Sequence, residues 1–151
     1  MRLSKTVILW GLVLMVLVGC TPSEKITPNQ QVESTTLPSP QPDKAMMVGK
    51  IISLETGSPL TNVPVRLASV YRQGNDGAFV LDVSHSPGNF SQSDGNFVIE
   101  DINPGEYLIV VGEPENNNYV IFQDEDKKPV SYQLEANKVL EVGTLKVDYK
   151  P

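Results

Sequence analysis

Few side chains in this sequence are equipped for chemistry. His85 is the only histidine, and Asp82, Ser84 and Ser86 stand within three residues of it. A base, a carboxylate to orient it and a hydroxyl nucleophile are the parts of a hydrolytic triad, and they work only when hydrogen-bonded in series. On an extended strand, neighbouring residues point to opposite faces, so these four are not expected to assemble. No nucleophile-elbow sequence accompanies them. Asp124 and Asp126 are the candidate ligands for a calcium ion, with Glu125 between them and Asn116, Asn117 and Asn118 upstream. No loop of alternating ligands around a glycine surrounds them, and Lys127 and Lys128 offset their charge at once. The chain is therefore read as non-enzymatic, with no cofactor and no resident metal.

The remaining reactive group is the thiol of Cys20, the only cysteine. It closes an N-terminal segment that starts with Arg2 and Lys5 and continues as a twelve-residue apolar run, residues 7–18, interrupted only by Gly11. A helix needs about 20 apolar residues to cross a bilayer, so the run is too short to span one. It has the length of the apolar region of a secretory signal. The closing Leu17-Val18-Gly19-Cys20 resembles the bacterial lipobox. That resemblance implies cleavage between Gly19 and Cys20 and a diacylglycerol on the Cys20 sulfur. The mature chain would be tethered to the outer face of the cytoplasmic membrane or in the outer membrane. Two or three acyl chains hold such a tether stably, at about 0.8 kcal/mol per buried methylene.

Without Arg2 and Lys5, ten basic and 18 acidic residues remain, a balance of −8 against −6 for the whole chain. No basic cluster is present to neutralise phosphates, which argues against nucleic acid as a partner. A single cysteine allows no disulfide within the domain, so stability must come from a packed core. Residues 21–44 hold five prolines and only three scattered aliphatics, Ile26, Val32 and Leu37. Such a stretch cannot offset its ordering entropy by burial. It reads as a disordered linker, spanning about 25–30 Å as a flexible coil.

From Ala45 to the end, short runs rich in Val, Ile, Leu, Phe and Tyr alternate with clusters of Gly, Pro, Asn and Asp. Residues 47–54 predict a first strand. Val63, Val65 and Leu67 alternate with polar or small neighbours, as on a half-buried strand. Residues 73–77 predict a hairpin turn, with Phe79, Leu81 and Val83 on the returning strand. Asp94-Gly95 predicts a second hairpin between residues 90–93 and 96–100, with Phe90 packed and Phe97 and Ile99 facing inward. Another turn at residues 101–105 leads to a strand bearing Tyr107, Ile109 and Val111 on one face. Tyr119 to Phe122, then Val130, Tyr132 and Leu134, follow the polar residues 113–118. The last strands run from Val139 to Val147, with Gly143 shifting the phase. Gly95 and Gly105 are expected at positive φ. Seven or eight strands in about 105 residues predict an all-β, antiparallel Greek-key sandwich.

Val48-Gly49-Lys50-Ile51 and the run Gly57-Ser58-Pro59-Leu60-Thr61-Asn62-Val63-Pro64-Val65-Arg66-Leu67 resemble the carboxypeptidase regulatory-like domain. So do Ser93-Asp94-Gly95-Asn96-Phe97, Pro104-Gly105-Glu106-Tyr107-Leu108-Ile109-Val110-Val111 and Gly143-Thr144-Leu145-Lys146-Val147, in that order. The resemblance covers about residues 46–147, and residues 73–87 depart from it. It implies a transthyretin-like sandwich of seven strands, used as a structural, spacer or binding module. The expected partner of such a monomer, besides the membrane reached through the lipid, is another envelope protein or a polysaccharide. Contact would fall on residues 73–77, 84–89 and 113–118, with Tyr71, Tyr119 and Asn117 as candidate contacts. A carbohydrate-binding module is one alternative. A transthyretin-like hydrolase is the other, although that enzyme depends on several His and Arg where this chain has one histidine, and Val147-Asp148-Tyr149-Lys150-Pro151 does not match its C-terminal tetrapeptide.

Overall fold

The computed structural model describes residues 39–74 and 76–151. The expected signal peptide (residues 1–19), Cys20, the linker up to residue 38 and Asn75 lie outside the described residues. What is described is an all-β fold of two facing sheets. The strands are β1 (Ala45–Ser53), β2 (Pro64–Gln73), β3 (Asp76–Val80), β4 (Gly88–Phe90), β5 (Asn96–Ile102), β6 (Gly105–Glu113), β7 (Asn118–Ile121), β8 (Ser131–Leu134) and β9 (Val139–Val147). The smaller sheet has the order β5-β1-β9. The larger has β3-β2-β6-β7, with β4 also pairing with β2 and β8 with β6.

Period-two burial places the core. Met47 and Ile51 of β1, Phe97 and Ile99 of β5 and Leu145 and Val147 of β9 meet Val65, Leu67, Tyr107, Ile109, Val111 and Leu134 from the larger sheet. Each fully buried side chain of this size stabilises the fold by about 1.5–3 kcal/mol. The residues out of phase with these face away from the core. On β2 and β6 several of them are themselves apolar: Ala68, Leu108 and Val110 form a second cluster, packed by Val70, Leu81 and Ile121. Segment 81–87 is fastened to the same sheet. Arg66 Nη1 donates to the Val83 carbonyl at 2.5 Å, and Leu67 N to the Pro87 carbonyl at 2.8 Å.

Several expectations change in the structure. There are nine strands among the described residues where seven or eight were expected, and the strand expected at residues 90–93 lies at residues 88–90 instead. The strand after the first hairpin ends at Val80, so Leu81 and Val83 leave the sheet and fold over it. Asp94-Gly95 does turn the chain: Gly95 N donates to Gln92 O at 2.9 Å and Gln92 N to Asn96 O at 2.7 Å. It does not, however, join two strands of one sheet. Residues 88–90 pair with β2, and β5 pairs with β1 in the opposite sheet. Buried Ser91 sets this crossing, since its hydroxyl donates to Leu60 O at 2.6 Å and accepts from Val63 N at 3.0 Å. Phe90, expected to pack, is 54% exposed as a consequence.

The β1–β9 pair is parallel, the one such pairing among the described strands. Gly143, at φ +70°, lies in the register shift of that pair and moves Leu145 and Val147 onto the core side. Gly95 has the expected positive φ, +83°. Gly105 does not. Its backbone lies close to the Tyr107 ring instead: a Cβ there would stand 3.2 Å from it, a tight contact that the ring would have to ease. That ring lies over the turn because its hydroxyl donates to the Asn103 carbonyl at 2.9 Å.

Candidate functional site

A concavity of about 710 Å³ lies along one flank, between β9 and the β7–β8 connection. Three local features build it. Phe122 leaves β7 bonded to Ile109 O at 2.9 Å, which keeps its ring beside the core. The chain then folds back in a tight loop: Asp124 N donates to Lys128 O at 2.9 Å, and Lys127 takes φ +64°. Opposite stands β9, whose outer edge pairs with no strand among the described residues. Val120, Phe122, Val147 and Leu54 supply apolar surface, while Asp124, Glu125, Asp148, Lys127, Lys146 and Thr144 bring polar groups. Such a lining can hold an extended ligand by its apolar side and fix its register with charges of either sign. Leu54, 48% exposed at the end of β1, contributes the clearest uncovered apolar group.

The candidates named from sequence fall elsewhere or act locally. Tyr71 and Tyr119 are 63% and 40% exposed, but they do not share a platform. Tyr119 stands opposite Gly112, which follows the Val111 that pairs with Val65, whereas Tyr71 lies at the far end of β2. About seven residues along the strand, some 23 Å, separate the two positions. Asn117 closes the 3-10 turn Pro114–Asn116 in the left-handed region, φ +57°, with its N–H on the Pro114 carbonyl at 3.1 Å. Its backbone role is that of a turn residue. Loops 84–89 and 113–118 are brought together through Arg66, which pairs with Glu115 at 3.1 Å and binds the Val83 carbonyl. Loop 73–77 is at the other end.

Around His85 the expectation of strand geometry is wrong, because residues 82–86 form a turn. The Asp82 carboxylate accepts from the Ser84 and His85 amides at 2.9 and 3.2 Å and meets His85 Nδ1 at 2.9 Å. That hydrogen bond, chiefly, holds the Asp82 carboxyl below the ordinary carboxylate range. Ser86 Oγ accepts from Asp82 N at 3.0 Å. The His85 ring is 82% exposed, and Asp82 serves it as a cap rather than as part of a closed site.

Asp124 and Asp126 lie in the loop beside the groove. Asp124 Oδ1 accepts from Lys128 N at 2.9 Å, and the Lys128 ammonium sits 3.6 Å from Asp126. Among the described residues no three His, Cys, Asp or Glu side chains gather as a metal-binding group. Cys20 and Gly19 lie outside the described residues.

The strongest electrostatic perturbation is structural. Arg72 donates to both Glu106 carboxylate oxygens, from Nε at 2.8 Å and from Nη2. That hydrogen bonding, with help from Ser131, lowers the Glu106 pKa from 4.5 to about 2.

No family model matches the chain, and no curated protein matches it. Its likeness is to solved structures at low identity. A 9R-lipoxygenase from Cyanothece is 17% identical with a TM-score of 0.40, over 78% of this chain and 19% of that one. A DUF3823 family protein from Bacteroides uniformis is 18% identical with a TM-score of 0.41, over 70% of this chain and 43% of that one. The 5-hydroxyisourate hydrolase of Klebsiella pneumoniae is 11% identical with a TM-score of 0.33, over 71% of this chain and 94% of that one. This chain thus spans less than half the length of the first two.

Proposed function

We propose that the chain is an exported lipoprotein, acylated at Cys20, whose β-sandwich is a non-catalytic binding module of the cell envelope. The anchor rests on the residue 7–18 apolar run and the Leu17-Val18-Gly19-Cys20 ending. The domain is of the carboxypeptidase regulatory-like kind, a reading supported by the order of its turn and strand motifs. The observation that carries the binding role is the groove of about 710 Å³ beside the open edge of β9. Its Leu54, Val120 and Phe122 offer apolar contact and its Lys127 and Lys146 offer donors. An envelope protein presenting an extended segment fits both.

Two variants test this. Cys20→Ser should abolish incorporation of a palmitate label and release the chain from membranes. Thr144→Trp should fill the groove and lower capture of the envelope partner by about tenfold or more, with the melting temperature unchanged. Undiminished capture would remove the groove from the account. Retention on an envelope polysaccharide that is lost on Tyr119→Ala would instead move the site to the β7 edge and make this a carbohydrate-binding module.

A further inference from the structure

The hairpin β2–β3 extends beyond the sandwich with apolar side chains on both of its faces. All five residues of β3 are exposed. Phe79 is 46% exposed and Val80 53%, and Tyr71 beside them on β2 is 63% exposed. β3 ends the larger sheet, and its outer edge is unpaired among the described residues.

The other edges are blunted by devices that natural sheets use against edge pairing. β9 is bulged at Gly143 and carries Glu141 and Lys146. On β5 the Val98 carbonyl is capped by Asn89 Nδ2 at 2.9 Å, and Asp101 departs from extended geometry with φ +57°. β4, β7 and β8 have only three or four residues each. Asp76-Gly77-Ala78-Phe79-Val80 has no lysine, no proline and no bulge.

We infer that β3 pairs with β3 of a second copy of this chain, antiparallel about a twofold axis through Ala78. The sequence of the strand is complementary to itself in that register. Ala78 faces Ala78, so small side chains meet at the axis. Phe79 faces Gly77 of the other copy, twice. An aromatic side chain opposite an edge glycine covers exposed backbone and pins register. The fold already uses that pair once: Phe97 stands opposite Gly49 in the antiparallel β1–β5 ladder, and its ring would be within 2.8 Å of a Cβ there. Within each hairpin Tyr71 is opposite Ala78, so the pairing sets a row Tyr71, Ala78, Ala78, Tyr71 on one face. The two rings can close over the small residues between them. On the other face Phe79 would lie next to Arg72, which stands opposite Gly77 with its guanidinium over that glycine. A guanidinium beside an aromatic ring is favourable. No like charges are opposed, since Asp76 faces Val80.

Five residue pairs bury much less than the roughly 800 Å² per partner of a stable complex, so the association is weak. In sedimentation velocity, the full chain in mild detergent should pass from monomer to dimer between about 1 μM and about 1 mM. Phe79→Lys should shift that transition at least about tenfold upward. Ala78→Cys tests the register itself. Opposed residues in an antiparallel pair have Cα atoms about 4.5–5.5 Å apart, which is within disulfide range. Ala78→Cys should form disulfide dimers on mild oxidation well above the native chain, whose Cys20 sets the baseline. Glu125→Cys, in the groove loop, should not. Ala78→Cys cross-linking no better than Glu125→Cys, or a dimer unaffected by Phe79→Lys, would overturn the pairing whether or not Cys20 is acylated.

Discussion

Two residues hold the sandwich together in ways that a variant can isolate. The Ser91 hydroxyl bonds to both Leu60 O and Val63 N inside the protein. Removing it leaves a buried donor and a buried acceptor unpaired, so Ser91→Ala should cost about 1–3 kcal/mol in denaturant unfolding. Ser91→Ala with wild-type stability would mean that water replaces the hydroxyl. Glu106 is the residue with a pH signature. Its pKa is lowered from 4.5 to about 2 in the folded state by Arg72 and Ser131, so the unfolded chain binds the proton more readily. The contribution is therefore complete above pH 4.5 and fades as pH falls toward about 2. Melting temperatures measured across that range should decline less steeply in Glu106→Gln than in the native chain. His85→Ala, by contrast, should leave both stability and any binding unchanged, since the ring is 82% exposed and bonds to Asp82 in an exposed turn. Hydrolytic turnover that vanished with His85→Ala would revive the enzyme reading.

At the scale of the element, alternation in the sequence foretold the core well. Phe97 with Ile99, and Tyr107 with Ile109 and Val111, face inward because a strand's period of two leaves no other choice once one face is buried. Local chemistry also placed the turn at Asp94-Gly95. It could not say which sheet each strand joins. A turn brings the chain around, but long-range bonds such as Ser91 to Leu60 decide that β4 stays with β2 while β5 crosses over. The parallel β1–β9 pair was hidden for the same reason, its partners lying about a hundred residues apart. The groove was invisible to motif reading because Leu54, Phe122 and Thr144 come from three distant segments, and none of them belongs to a recognisable pattern. Tyr71 and Tyr119 were visible as exposed aromatics, but spacing in sequence did not reveal that they occupy opposite ends of one sheet. Amide exchange should follow the same architecture. β1 and β6, each central and buried, should exchange slowest, and β3 fastest in dilute protein. Equal protection of β3 and β6 in the monomer would contradict the exposure of the hairpin.

For the whole molecule, a sandwich without a disulfide is stabilised by one continuous core shared between two sheets, so residues 39–151 should unfold in a single cooperative step. Under the proposal above, the negative balance left after cleavage gives no attraction to anionic headgroups, so attachment would rest on the acyl chains at Cys20. In that proposal the proline-rich residues 21–44 are the tether that links the anchor to the sandwich. That division of labour depends on the fate of the N-terminus. Intact mass spectrometry of the protein isolated from its own membranes tests it directly. The account predicts a chain that begins at Cys20 and carries the added mass of a diacylglycerol, with or without a further acyl group on the amine. A chain that still begins at Met1 and bears a free Cys20 thiol would contradict it.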